Sequence, residues 1–337
     1  MKIEAACFTT RGQALGERLA EVLGQADKDV SLTRCGGDGP SLAEWTVARF
    51  PAADALIFIG AAGIAVRAIA PHVTAKTSDP AVLVMDEGGR YVIPILSGHI
   101  GGANALAGAL GKAMGAEAVI TTATDINRVF AADTWAAGRG YHIHDPRRIK
   151  TLSARLLAGE GAGLYSAYPI AGDLPKGLYC VSREEEAHLS ITAAGQGNES
   201  ALRLIPPVLV LGVGCRRGTE QGAIAAFFND LCVRENLHPH AFSLVCSIDL
   251  KKDEPGLLAF CREWNLPFQT YSARALTEAP GAYTTSPFVE ATTGVDNVCE
   301  RSAVLGGGML VVKKTAGHGI TMAVAVKPWT VIFEEDV

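Results

Sequence analysis

The first 130 residues alternate between short apolar runs and longer stretches with one apolar face. Ile3–Thr9 reads as a strand, Ala14–Leu23 and Leu42–Phe50 have helical spacing, and Ala55–Gly60 (ALIFIG) is an unbroken apolar run, as expected of a strand buried on both faces. Val82–Met85 and Tyr91–Leu96 flank DEGGR, which reads as a hairpin-like turn. Ala103–Met114 is an alanine-rich helix, and Ala118–Thr122 a further strand. This rhythm predicts the α/β class, with an N-terminal Rossmann-like domain over residues 1–130: a mostly parallel sheet with helices on both faces.

The rhythm changes over residues 131–206. One helix, Arg147–Leu157, precedes short strand-like pieces at Gly163–Ala167, Leu178–Ser182 and Leu189–Thr192, so a small α+β middle segment is expected. His142 and His144 alternate along a strand and face one side. A solvated edge is the expectation there, because no further ligands are spaced to complete a metal site. Pro206 and Pro207 mark a boundary. VLVLGVGCRRGT (Val208–Thr219) then opens a smaller C-terminal α/β domain over residues 207–337, which closes with two strands, Met309–Thr315 and Ile320–Val326, joined by a tight turn at Gly317–Gly319.

Candidate chemistry concentrates where apolar strands end in glycine. In LSGHIGGAN (Leu96–Asn104), strand, turn and helix follow one another. Amide N–H groups and the helix dipole at such a junction favour an anion. Gly98, Gly101 and Gly102 permit tight backbone angles, Ser97 and Asn104 add polar groups, and His99 can carry a proton near neutral pH. The plainer alternative is a closed corner with Ser97 or Asn104 as a helix cap. Gly60 and Gly63 form a second such turn, either lining one crevice with the first or serving helix packing. Gly212, Gly214 and Gly218 approach a dinucleotide fingerprint but have one residue too many before the last glycine, and no acidic residue follows at the expected distance. Arg216 and Arg217 in that turn suit carboxylates or phosphates instead. Cys215 reads as a buried thiol sooner than a nucleophile. In EATTGVDNVCER, Glu290 is a candidate acid/base group, while Asp296 and Glu300 read as ordinary capping and surface charge on one helical face.

Composition narrows the classes. The chain is 48% hydrophobic and carries a net charge of −5, which disfavours a nucleic-acid binder. It contains no apolar stretch of membrane-spanning length and no signal-peptide pattern at its start, so a cytoplasmic protein is expected. Its eight cysteines form no C-x-x-C pair, and no metal site is assigned. The oligomeric state is not set by these features.

Taken together and in this order, LSGHIGGAN, GVGCRRGT and TGVDNVCERSAVLGGG resemble the cobalt-precorrin-5A hydrolase (CbiG) family of anaerobic cobalamin biosynthesis, and FIGAAGIAVRAIAP is similar to the family pattern as well. The resemblance spans essentially the whole chain. It implies a cobalt-tetrapyrrole substrate bearing a δ-lactone, which is opened with expulsion of acetaldehyde, and it implies no cofactor beyond the cobalt that arrives in the substrate. On that expectation His99 is the general acid/base, with Glu290 as a second candidate. The Gly98–Gly102 amides hold an oxyanion or carboxylate, and Arg216 and Arg217 clamp rim carboxylates, so that Gly-rich corners of two domains grip one macrocycle. The alternative is a tetrapyrrole carrier that performs no chemistry.

Overall fold

Residues 1–75, 78–99, 101–127 and 129–333 are described by a computed structural model, with only the backbone described at Thr124, Asp125 and Phe288. The chain divides into two units, Met1–Thr134 and Trp135–Val337.

The first unit is built on β1 (Lys2–Cys7), β2 (Asp29–Arg34), β3 (Ala55–Ile59), β4 (Ala81–Met85), β5 (Tyr91–Leu96) and β6 (Glu117–Ala118), in the order β2-β1-β3-β4-β5-β6. All neighbours are parallel except β4 and β5. Alternation along the central strands sorts the core onto two faces. Ala5, Ile57 and Leu83 meet Leu19 of α1 (Thr10–Gly24) and Leu106 and Leu110 of α4 (Ala103–Met114). Leu56, Phe58 and Val84 meet Trp45 of α2 (Leu42–Arg49) and Ile69 of α3 (Ala62–Ile69). The DEGGR turn is the expected hairpin, held by Asp86, whose Oδ1 accepts from the N–H groups of Arg90 (2.8 Å) and Tyr91 (2.7 Å).

The second unit holds two five-stranded sheets. One contains β7 (His142–Ile143), β8 (Ala162–Ser166), β10 (Leu178–Cys180), β11 (Leu189–Ile191) and β12 (Leu202–Ile205), ordered β10-β8-β11-β12-β7, and β9 (Ile170–Ala171) stands outside it. The other contains β13 (Leu209–Cys215), β14 (Phe242–Ile248), β15 (Phe268–Tyr271), β16 (Met309–Gly317) and β17 (Ile320–Val326), ordered β15-β14-β13-β17-β16. β18 (Val331–Ile332) returns to pair with β9. Ile205 and Val208, either side of the two prolines, share one core with the C-terminal sheet.

The glycines of the C-terminal sheet are packing glycines. A Cβ on Gly212 would stand 1.8 Å from the carbonyl oxygen of Cys299, so the helix Cys299–Gly307 lies directly on β13. Gly306 and Gly307 of that helix are closed in turn by Val210 (3.0 and 2.8 Å). The turn at His318 and Gly319 has positive φ at both residues (52° and 78°), the primed geometry that suits a two-residue hairpin.

His144 is exposed beside the edge strand β7, as expected, whereas His142 departs from expectation. His142 is half-buried and stacks on His240 (3.9 Å between ring centroids), and His144 Nδ1 lies 3.1 Å from Nε2 of the buried His238. The edge is thus solvated only in part, because it also meets the turn before β14 of the other sheet. Among the described residues, no group of three or more His, Cys, Asp or Glu side chains is arranged to hold a metal ion.

Two predictions follow from this packing. Gly212→Ala should destabilise the protein by about 3 kcal/mol in urea denaturation, because backbone must move to admit the methyl group. Gly63→Ala, on an open helix surface, should be neutral or stabilising by about 0.5 kcal/mol. In the histidine junction, burial first and then neighbouring imidazoles lower His142 to about 4 and His238 to about 3. Between those values and about 6.5 the unfolded chain binds protons that the folded chain does not, so stability falls as pH drops through that window and is flat above it. A loss of about 4 kcal/mol from pH 7 to pH 5 is expected, shared between the two groups. His238→Gln should remove about half of it, and an equal slope in that variant would remove His238 as a source.

Candidate functional site

In the first unit the Ser97–Asn104 loop folds on itself; Ile100, within it, lies outside the described residues. The N–H groups of Gly102, Ala103 and Asn104 donate to the carbonyls of His99 (2.8 Å), Ser97 (3.1 Å) and Gly98 (2.9 Å). Three helix-start donors are therefore already bonded inside the loop. Gly98 is compact because Asn104 fills the space a Cβ would need (2.8 Å to Oδ1), and Gly101 because Ser97 does (2.4 Å to Cβ). Ser97 occupies the left-handed region (φ 54°), and its hydroxyl donates to Asp79 O (2.9 Å), a strained position of the kind that gathers at functional sites. Asn104 Nδ2 donates to Thr122 Oγ1 (3.0 Å).

This packing holds His99 against Asp133, with Nδ1 and Oδ2 3.5 Å apart and Asp133 nearly buried. Burial alone would raise the Asp133 carboxyl. The bond with His99, its charge and nearby backbone N–H groups outweigh that and hold it below the usual carboxylate range. A buried carboxylate beside one ring nitrogen fixes an imidazole's orientation and favours its protonated form, the arrangement of a general base. No local spacing reveals Asp133; its sequence signal is a lone acid within the otherwise apolar FAADTWAAG.

Gly60 and Gly63 do not join this loop. β5 runs antiparallel to β4, with Val82 opposite Leu96 and Met85 opposite Val92. The carboxyl end of β5 therefore lies at the amino end of β3 and β4, whereas Gly60 follows their carboxyl end. The shared crevice expected from the two turns is excluded by the hairpin that reverses the chain between them.

In the second unit a cavity of about 660 Å³ opens beyond the carboxyl ends of the parallel strands β13 and β14, where α/β sheets commonly bind ligands. Ile248, Leu250, Val289, Val298 and Ile320 make its walls apolar. Gly214, Arg216 and Arg217 line it, together with Lys251 and Lys314. Lys251 is paired with the buried Glu254 (2.8 Å), which also accepts from Gly218 N–H (2.7 Å). Arg216, Arg217 and Lys314 form no ion pair among the described residues. The Arg216 side chain lies across Gly319, where a Cβ would meet its Cδ at 2.8 Å, so the β16–β17 turn sets its direction. Glu290 is exposed and is not among the lining residues, although Val289, Thr292 and Thr293 of its helix are.

Two further expectations change. Asp296 precedes the helix Cys299–Gly307 and pairs with Arg301 (2.8 Å), so it shares no helical face with Glu300. Glu300 is not surface charge but 1% exposed, and its carboxylate accepts from Thr284 N (2.8 Å), Thr284 Oγ1 (3.0 Å), Asn297 Nδ2 (2.8 Å) and Lys314 N (2.6 Å).

Family profiles described as "Cobalamin synthesis G N-terminal" and "Cobalamin synthesis G C-terminus" match residues 44–125 and 209–325. The cobalt-precorrin-5A hydrolase of Salmonella typhimurium is 36% identical over 337 aligned residues, which cover 95% of this chain and 96% of that protein. The chain belongs to the CbiG family. The cobalt-precorrin-5A hydrolase of Priestia megaterium is 30% identical, covering 81% of this chain and 79% of its own. Protein CobE of a Sinorhizobium species is 33% identical over 121 residues, 35% of this chain and 79% of CobE. The CbiG C-terminal match contains every residue lining the cavity, and the N-terminal match contains the Ser97–Asn104 loop but ends before Asp133.

Cys215 lines the cavity, but burial raises its thiol above the ordinary value, which leaves little thiolate at neutral pH. Iodoacetamide at pH 7 should label the exposed Cys180 first and Cys215 at least about tenfold more slowly by peptide mapping, with Cys215 catching up as pH rises past 9. Faster labelling of Cys215 would restore it as a nucleophile.

Proposed function

We propose that this chain is a cytoplasmic cobalt-precorrin-5A hydrolase that opens the δ-lactone of a ring-contracted cobalt tetrapyrrole and releases acetaldehyde. Family membership gives the reaction class. The observation that carries the substrate class is the β13–β14 cavity, whose apolar walls carry three cations that form no ion pair among the described residues, in a chain of net charge −5. An apolar macrocycle edged with carboxylates matches that combination, with the guanidinium groups binding carboxylates through paired N–H donors. Cobalt enters bound in the substrate, and no resident cofactor is assigned.

Water adds to the lactone carbonyl and the ring oxygen leaves. When that oxygen loses its proton it becomes the aldehyde carbonyl, as the carbon–carbon bond to the macrocycle breaks and the electron pair stays on the macrocycle to take up a proton. A base that withdraws the proton from water and returns one is the requirement on the protein. His99 oriented by Asp133 is assigned that role, and Arg216 and Arg217 are assigned ground-state binding.

The test supplies the purified protein with cobalt-precorrin-5A and assays acetaldehyde. His99→Ala should lower kcat by about a hundredfold or more with little change in KM, and Asp133→Asn should do so by about tenfold. Arg216→Ala should raise KM instead. Tight binding without acetaldehyde identifies a carrier, and undiminished turnover in His99→Ala removes that residue from the mechanism.

A further inference from the structure

β16 and β17 do not pair evenly. Val312 lies opposite Val324 and Thr315 opposite Met322, so three residue steps on β16 answer two on β17. Lys313 and Lys314 occupy the extra step, a β-bulge on the edge strand of the C-terminal sheet. A bulge breaks the ladder locally and re-aims a side chain, which is why bulges gather beside active sites. It also leaves a backbone N–H in need of an acceptor. Here the Lys314 N–H donates to Glu300 Oε1 at 2.6 Å. The same carboxylate takes Asn297 Nδ2 and both donors of Thr284, so it joins the bulge to the segment that supplies Asn297 and Val298 to the cavity wall. Lys314 lines that cavity, while its neighbour Lys313 is exposed and does not.

We infer that Lys314 binds a substrate carboxylate and that Glu300 is its positioning residue, holding the bulge in the register that turns the lysine inward. This rests on the cavity being the tetrapyrrole site. Glu300 has no contact with substrate in this role, since its two oxygens are taken up by four donors. An ammonium on a flexible stem needs such a fixed origin to act at one place.

The experiment is a mutant cycle on the full chain, read as KM and kcat for acetaldehyde release. Lys314→Ala should raise KM about tenfold or more with kcat little changed, Lys314→Arg should recover most of that loss, and Lys313→Ala should leave KM unaltered. Glu300→Gln should raise KM in the wild-type background and add nothing further in Lys314→Ala, because both changes remove one interaction. Equal KM effects of Glu300→Gln in both backgrounds, or a fall in kcat alone, would overturn the positioning role. If Glu300→Gln does not fold, the Lys314 variants still decide the binding role. A parallel titration with uroporphyrin, a tetrapyrrole octacarboxylate, keeps this separable from the activity. Absence of acetaldehyde from the wild type defeats the proposed reaction, whereas equal uroporphyrin affinity in wild type and Lys314→Ala defeats the lysine.

Discussion

The second unit depends on one close approach, that of the Cys299 carbonyl to the bare α-carbon of Gly212. No side chain fits between them, so the helix Cys299–Gly307 settles onto β13 at backbone distance, and Gly306 and Gly307 extend the contact along Val210. Interiors packed at this density transmit position faithfully. The helix start is thereby fixed near the carboxyl end of β13. Cys299 faces the cavity, and Glu300 is carried inside, where it collects its donors from the Thr284 segment and from β16. Of the glycines that look like a nucleotide fingerprint, Gly212 is explained by this contact, Gly214 by Thr321 Oγ1, which would stand 2.6 Å from a Cβ there, and Gly218 by its positive φ of 77°.

Charge is arranged by the same economy of position. An acidic chain can leave a few cations outside ion pairs while it neutralises others where structure requires it. Lys251 is held by Glu254, and Arg301 by Asp296 and by the ring of Tyr283 at 4.5 Å. Arg216, Arg217 and Lys314, around an apolar cavity, form no ion pair among the described residues. Low-dielectric walls strengthen a carboxylate–cation contact relative to the same pair in open water. Net charge therefore says little about which ligand such a site prefers.

How much of this was legible depended on whether the signal was local. β3 was readable because all five of its residues are buried and apolar. β2 (DVSLTR) was not, because it is a half-exposed edge strand with polar residues on it. β12 was hidden by Arg203, which breaks the apolar run yet is 1% exposed, its guanidinium donating to the carbonyls of Ala194 (2.6 Å) and Gly195 (3.4 Å). The Ala118–Thr122 strand shrinks to the two residues of β6. Of the cavity-lining residues, Arg216 and Arg217 stood out in the sequence by sitting in a glycine turn. Lys314, Glu300 and Asp133 did not, since each gains its meaning from a partner brought close only by folding. Glu290 had suitable chemistry in its motif but is exposed and is not among the cavity-lining residues. The DEGGR hairpin was plain, and it alone implies that Gly60 and His99 lie at opposite ends of the sheet. Apolar periodicity carries no direction, so that consequence needed the register.

The reversed β5 also changes what its loop can be. A glycine-rich strand–helix junction usually binds an anion with free amide groups. Here the amides of Gly102, Ala103 and Asn104 are bonded to carbonyls of the same loop, Gly98 and Gly101 are filled by Asn104 and Ser97, and Ser97 is held in a left-handed conformation. Each feature removes freedom from the backbone around His99. A turn with three helix-start amides already bonded has fewer donors left for a phosphate or carboxylate, and its His99 side chain meets a buried carboxylate at 3.5 Å. The glycines of LSGHIGGAN thus help to place an imidazole beside Asp133. A proton-transfer group must be held within hydrogen-bond reach of its target, whereas a carboxylate clamp tolerates looser geometry, and the rigid loop and the open, lysine-bearing cavity differ in that sense.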